Sequence, residues 1–423
     1  MRIALVFPKS TFLTDPMVWP PLGLFYLAAQ LEAQGHTTDF FDMSVRELPE
    51  DGEFDQIWLS AKSAQMFEVR KISTKVKKWE ITKTVFGGAA PWADKNVREL
   101  PFNLTVVGEG DHPATIKSIL RLADFKNSNK AIFWPDMSKN LDWVLPPVRR
   151  WTLDYHAYMN DSQGNKYRMA SLFTTRGCPM SCAFCESGRR GVIWGKTTRY
   201  EPLWCVEEQI KECKELGFTG LGYYDDVFIL NKIRTLKLLD LNYKYDMRWR
   251  CFLRSDILCN HGGKGYLERM RDSGLIEVFL GIESASNRIK KNIHKGTTIE
   301  QDAKVVQWCK ELGIRCKTSF ILGLPGESLK SMNKTRDWIL EHRPDIVQVD
   351  RLIPFPGVPI TKNPQDYDLT YETQVDEEWF FRGKEGAGKS FVSTSFLSRE
   401  QIDEFISALD EELIREGLST YDH

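Results

Sequence analysis

The first 125 residues alternate short apolar runs with apolar positions at helical spacing. Arg2–Phe7 and Gln56–Ser60 read as buried strands, and Thr105–Val107 closes the series. Between the first two, Leu24, Leu27, Ala28 and Leu31 recur at the interval of one helix face, and Gly35 stands where a helix stops. Strands alternating with helices predict an α/β fold with a parallel, doubly wound, Rossmann-like sheet covered on both faces. Such sheets take ligands at the carboxyl ends of their strands. There this segment places Gly87-Gly88-Ala89-Ala90 and Gly108-Glu109-Gly110, where glycine either admits a ligand or makes a tight turn.

Residues 126–167 break the rhythm: Pro135, Pro146 and Pro147 with polar filler read as a linker. Trp134, Trp143, Trp151 and, further on, Trp194 lie in or near it, suited to packing or to an apolar substrate. A second βα series begins at 168, with strands starting near Ala170, Gly220, Arg248, Glu277, Arg315 and Ile346. Six parallel strands without a seventh and eighth predict an open, partial (βα)6 barrel over 168–361, with its chemistry at the carboxyl-end rim. Residues 362–423 form a capping segment. It ends in an amphipathic helix with Ile402, Phe405, Ile406, Leu409 and Leu413 on one stripe and a Ser398–Gln401 capping box.

Composition narrows the class. The 423 residues suffice for two domains, and 42% hydrophobic with 27% charged residues is the balance of a soluble globular chain. A formal net charge of -1 supplies no field toward nucleic acid or an acidic membrane. No stretch approaches the roughly 20 apolar residues of a membrane-spanning helix. Pro8 and Lys9 end the N-terminal apolar run too early for a signal peptide. Nine cysteines, three crowded and six scattered, fit a reducing cytoplasm and one metal site rather than a disulfide framework.

The crowded three are Cys178, Cys182 and Cys185, spaced C-x3-C-x2-C directly after the first barrel strand. Three thiolates can hold three irons of a cuboidal [4Fe–4S] cluster and leave the fourth open. An open metal position is what a catalytic site needs. Zinc is the rival, but no histidine lies between Tyr158 and Arg250 to complete its ligand set locally. Carboxylates at strand ends, Asp225 and Glu283, can accept bonds from ribose hydroxyls or an ammonium, and Arg254 can pair with a carboxylate. Singly, each reads equally well as a rim salt bridge. Gly323 lets backbone approach a ligand or makes a plain turn.

On these residues the chain resembles the radical S-adenosylmethionine (SAM) superfamily, in the branch with a cobalamin-binding domain ahead of the barrel. Phe184, just before the last cysteine, fills the aromatic position that in the family packs beside the adenine. Asp225-Asp226-Val227-Phe228, Arg254-Ser255-Asp256, Gly281-Ile282-Glu283-Ser284, Lys295-Gly296-Thr297 and Gly323-Leu324-Pro325-Gly326-Glu327 are similar, in order, to that branch's strand-end motifs. In the first domain the similar segments are Pro20–Leu24, Phe86-Gly87-Gly88 and Val107-Gly108-Glu109-Gly110-Asp111.

The resemblance implies a [4Fe–4S] cluster, SAM and cobalamin as cofactors, a small-molecule substrate and a flavodoxin- or ferredoxin-type electron donor. It implies a radical reaction, either cobalamin-dependent methylation of an unactivated carbon or, as in the porphyrin-ring cyclases, cyclisation or rearrangement. The D-x-H-x-x-G motif that brings a histidine to cobalt is absent, so cobalamin would bind without one, with Ser60–Met66 beneath the ring. Methylthiotransferases carry a second cluster on N-terminal cysteines, and no cysteine precedes Cys178. A non-catalytic iron–sulfur protein is the alternative from another class.

One motif points elsewhere. Gly383–Ser390 matches the phosphate-loop pattern G-x-x-x-x-G-K-[ST]. That loop works between a buried strand and a helix, but a strand-like run, Phe391–Phe396, follows it. It reads as a glycine-lysine loop without nucleotide.

Overall fold

The computed structural model describes residues 1–10, 13, 15–123, 131–135, 137–188, 197–371 and 389–418. These fall into two compact units. The first comprises residues 1–156 and 197–209, the second 157–188, 210–371 and 389–418.

The first unit is built on six parallel strands. They are β1 (Arg2–Phe7), β2 (Thr37–Asp42), β3 (Gln56–Ser60), β4 (Lys83–Gly87), β5 (Leu104–Val106) and β6 (Ala131–Phe133), in the order β2-β1-β3-β4-β5-β6. Ile3 to Val6 are fully buried because helices cover both faces, which is why this strand reads as an unbroken apolar run. Helices Leu22–Glu32, Met66–Val76 and Pro113–Ala123 are among those linking the strands. The winding direction reverses between β1 and β3, and a crevice for a ligand belongs at that switch point.

The expectation that Thr105–Val107 closes the sheet is corrected. β6 lies within the stretch read as a linker and pairs with β5, Leu104 opposite Ala131. It was invisible in the sequence because it is three residues long, at an edge, and only partly buried.

The second unit carries a seven-stranded sheet. Its strands are β7 (Tyr158–Asn160), β8 (Lys166–Leu172), β9 (Gly220–Tyr223), β10 (Arg248–Leu253), β11 (Leu275–Glu283), β12 (Arg315–Leu322) and β13 (Ile346–Arg351), ordered sequentially from β13 to β7. The six from β8 onward are parallel, as the partial barrel requires; β7 adds an antiparallel edge through a hairpin. Burial alternates along β12. Cys316, Thr318, Phe320 and Leu322 are buried against helices, while Arg315, Lys317, Ser319 and Ile321 stay half-exposed on the inner face.

That inner face is layered. Glu277, fully buried, pairs with Arg250 (3.2 Å) and Arg315 (3.6 Å) at its foot. Above lies a row of half-buried rings: Phe173 to Tyr224 at 6.4 Å, Tyr224 to Phe252 at 5.9 Å, and Phe252 to Phe279 at 5.0 Å between centroids.

Helix Arg399–Arg415 opens with the expected Ser398–Gln401 capping box and buries Ile402, Ile406, Leu409 and Leu413, with Phe405 half-buried. Asp403 on it pairs with Arg351 of β13 (2.6 Å). Most of the glycine-lysine loop lies outside the described residues. After it comes a strand, Val392–Ser393, antiparallel to Thr370–Tyr371. Ser390 bonds to Asp403 through both its backbone N–H (3.0 Å) and its hydroxyl (2.8 Å). Among the described residues no helix is long and apolar enough to cross a membrane.

Candidate functional site

The cysteine loop leaves the carboxyl end of β8, and the neighbouring strand holds its first residues. Asp225, two residues past β9, is fully buried. Its Oδ1 accepts from the N–H groups of Thr174 (2.6 Å) and Thr175 (3.0 Å), and its Oδ2 from the Thr174 hydroxyl (2.5 Å). Burial pushes this acid up to about 6 against those hydrogen bonds. Asp225 thus faces the loop backbone and does not present free oxygens to a ribose or an ammonium. Gly177, at φ +92°, turns the chain immediately before Cys178.

Cys178 and Cys182 are buried and Cys185 is half-buried, with Phe184 half-buried beside it. The loop closes on itself through the Cys185 N–H to the Cys182 carbonyl (3.4 Å) and the Cys178 N–H to the Ser187 carbonyl (3.3 Å). Burial, reinforced by the Asp226 carboxylate and the neighbouring thiolates, pushes Cys178 up to about 11 and Cys185 up to about 12. Without a metal these thiols stay protonated; iron would take the place of the protons. Three thiols on one short loop, two buried and one half-buried, are a fitting donor set for three irons of a cluster.

Arg254 follows β10 and is buried. Its Nε and Nη2 form a fork on Asp256 (3.1 and 3.0 Å), Nη2 also reaches the Lys295 carbonyl, and Nη1 lies 3.6 Å from the Cys182 Sγ. The carboxylate that Arg254 pairs with is therefore that of its own motif. Glu283 ends β11 with φ +68°, next to a register shift at Gly281. Its Oε1 accepts from the Lys295 ammonium at 2.6 Å, and both side chains are buried. A Cβ on Gly281 would come 2.6 Å from that oxygen, so the glycine makes room for the pair. Burial opposes the Lys295 charge, but Glu283 and Cys182 outweigh it and hold this lysine above its usual range.

Sequence reasoning named Ser255, Lys295 and Thr297 only as parts of motifs and did not single out Lys290 or Asp302, the buried pair behind them. Lys290 pairs with Asp302 and bonds Thr297 (3.0 Å), and Ser255 bonds Asp302 (2.6 Å). Thr298 caps helix Ile299–Leu312. The signal available was two lysines five apart around a glycine turn, which by itself looks like a solvated loop.

Gly323, at φ +88°, faces away from such a ligand role. A Cβ there would lie 3.1 Å from Val392 and 3.2 Å from Ile402, so the C-terminal segment fills that space. Below it Glu327 accepts from the N–H groups of Gly323 (2.8 Å) and Leu324 (3.2 Å) through Oε2. Its Oε1 is buried and has no partner among the described residues, and burial lifts the acid to about 8.

In the first unit, three of the four predicted residues are engaged within the protein. At Gly88, φ +94°, a Cβ would meet the Ala61 carbonyl at 2.6 Å and the Ser60 hydroxyl at 2.8 Å; the close approach of the two loops requires glycine. Gly108 packs on Pro135, 3.0 Å from an added Cβ. Glu109 forms a buried, two-pronged pair with Arg199 (2.6 and 2.7 Å). Gly87 alone meets nothing closer than 3.8 Å. At the β1/β3 switch point Gln65 bonds the Pro8 carbonyl (2.6 Å) and the Ser10 hydroxyl (3.1 Å), shaping the Ser60–Met66 turn.

Comparison with known proteins agrees with this architecture. Residues 172–339 match the radical SAM superfamily, and residues 9–116 match the B12 binding domain. An uncharacterized methyltransferase of Pyrococcus horikoshii is 27% identical over 390 residues, 84% of this chain and 82% of that protein. The anaerobic magnesium-protoporphyrin IX monomethyl ester cyclase of Rubrivivax gelatinosus is 26% identical over 376 residues, 80% of this chain and 65% of that protein. Among solved structures, the radical SAM methyltransferase TsrM of Kitasatospora setae, with cobalamin and a [4Fe–4S] cluster bound, superimposes with a TM-score of 0.68. It is 15% identical, covering 100% of this chain and 92% of that one, and so supports the fold. The chain thus carries a B12-binding domain ahead of a radical SAM domain, the pairing its strand order and its cysteine loop point to.

Proposed function

We propose that the protein is a cobalamin-dependent radical SAM methylase acting on a carbon of a small molecule. The observation that carries this is a B12-type sheet preceding a barrel whose rim presents Cys178, Cys182 and Cys185 on one braced loop. When bound, the cluster supplies the electron that cleaves the sulfonium of SAM, and cobalamin supplies the methyl group. The protein's part is positional. Asp225 braces the loop, Arg254 and Lys295 bring positive charge to Cys182, and Phe184 offers a face for the adenine. The half-buried Phe173, Tyr224, Phe252 and Phe279 give the barrel interior an apolar wall for a small substrate. A flavodoxin- or ferredoxin-type protein of the cytoplasm delivers the electron.

Ser60–Met66 at the β1/β3 switch point would hold cobalamin, without a histidine ligand from the protein. His36 lies beyond helix Leu22–Glu32, at the amino end of β2. His112 accepts from the Ala114 N–H at the start of helix Pro113–Ala123, and His156 pairs with Asp15 (2.7 Å).

The test is an anaerobic incubation of protein loaded with iron, sulfide and cobalamin, with dithionite and SAM. Methylation predicts both 5′-deoxyadenosine and S-adenosylhomocysteine, with about one cobalt per chain. The similarity to the protoporphyrin cyclase favours cyclisation as the second reading. That reaction would yield 5′-deoxyadenosine without S-adenosylhomocysteine.

A further inference from the structure

We propose that Arg254 and Asp226 impose an uneven charge field on the cluster of the three cysteines, the Arg254 guanidinium hydrogen-bonding Cys182 and raising the potential at which the cluster accepts its electron. The inference rests on the cluster reading above and adds what sets the cluster's potential.

The geometry is directional. Arg254 Nη1 stands 3.6 Å from the Cys182 Sγ, within reach of an N–H···S bond. The guanidinium is held in place: Nε and Nη2 grip Asp256, Nη2 also donates to the Lys295 carbonyl, and the side chain is 5% exposed. With these N–H groups engaged, its main free direction is toward the sulfur. A second buried cation, Lys295, acts on the same thiolate while anchored on Glu283. On the other flank Asp226 directly follows Asp225, whose carboxylate grips Thr174 (2.6 Å) and Thr175 (3.0 Å) at the start of the cysteine loop, and its negative charge acts on Cys178 and Cys185.

Two buried cations thus act on one thiolate, and the carboxylate next to the loop's anchor, Asp226, acts on the other two. Reduction adds one electron to the cluster and makes its net charge more negative. Hydrogen bonds to ligand sulfurs and nearby positive charge stabilise that state; nearby negative charge opposes it. Removing Arg254's charge and removing Asp226's charge must therefore move the potential in opposite directions. A merely structural role for either residue predicts no such opposition.

The experiment uses the full chain, reconstituted anaerobically, as wild type and as Arg254→Gln, Arg254→Lys and Asp226→Asn. Iron and sulfide per chain are measured first, and a wild type that takes up neither sinks the cluster reading itself. Each loaded protein is then titrated with dithionite and redox mediators above neutral pH without SAM, following the reduced cluster by electron paramagnetic resonance. The expected result is a midpoint shifted negative in Arg254→Gln, shifted less in Arg254→Lys, and shifted positive in Asp226→Asn. If Arg254→Gln fails to hold a cluster, the other two variants decide by the same opposed signs. Fully loaded variants with unchanged midpoints, or with shifts of one sign, overturn the proposal.

Discussion

Asp225 holds Thr174 at two points at once, its Oδ1 on the backbone N–H at 2.6 Å and its Oδ2 on the hydroxyl at 2.5 Å. The pair joins the end of β9 to the start of the cysteine loop across 51 positions of sequence. In Asp225→Asn one carboxylate oxygen becomes a donor facing donors, leaving a buried hydroxyl or N–H unmatched. The expected loss is about 1–3 kcal/mol of stability, together with a lower iron content after reconstitution. Urea denaturation and an iron assay check both; wild-type values in each would mean that the brace is dispensable.

Alanine at Cys178, Cys182 and Cys185 together should abolish iron and sulfide uptake. A triple variant that still holds a full cluster would place the iron site elsewhere in the chain.

Glu327 gives the protein a pH-dependent stability. Burial lifts its folded pKa to about 8 from 4.5, so folding takes up a proton between those values. The sign follows: this contribution is fully present below about pH 4.5 and is lost as pH rises through about 8, at no more than about 1.4 kcal/mol per pH unit. Glu327→Gln keeps an acceptor for Gly323 and Leu324 and cannot ionise. Urea midpoints measured between about pH 5.5 and 8.5 should slope downward less steeply in the variant than in wild type. Parallel slopes would show that folding does not raise the pKa of Glu327.

Two glycines of the first unit should respond unequally to the same change. Gly88→Ala drives a Cβ to 2.6 Å from the Ala61 carbonyl at φ +94° and should cost about 1–3 kcal/mol. At Gly110 an added Cβ meets nothing within 4 Å among the described residues, and the change should be nearly neutral. Thermal melts of the two variants distinguish them. Equal destabilisation would mean that the Gly88 contact is not what demands glycine.

Cobalt loading should survive alanine at His36, His112 and His156, because each is engaged at a helix end or with Asp15 rather than in a metal-directed motif. Loss of cobalt in any one of them would identify an axial ligand.

The alternation of β and α elements was legible because parallel strands buried on both faces leave long apolar runs, as at Ile3–Val6. β6 and β7 were not legible: three residues each, at sheet edges, they bury too little to leave a pattern. The cysteine loop stood out since cluster ligation is a matter of spacing along one short segment. Lys290 and Asp302 did not, because nothing local marks a lysine or its carboxylate partner as buried.

The sequence by itself determined the two-unit α/β plan, the strand that carries the cysteine loop and the three thiols on it. Those depend on periodicity and spacing within a few residues. Only the tertiary structure decided which oxygen faces which donor. Asp225 turned to Thr174, Glu109 to Arg199 across 90 positions, Arg254 to Asp256 and the Cys182 sulfur, and Gly323 to the C-terminal helix. The physical reason is that a charge's partner is set by strand register and by packing between distant segments. A strand-end carboxylate reads the same in the sequence whether it braces a loop, closes a buried ion pair or waits for a ligand.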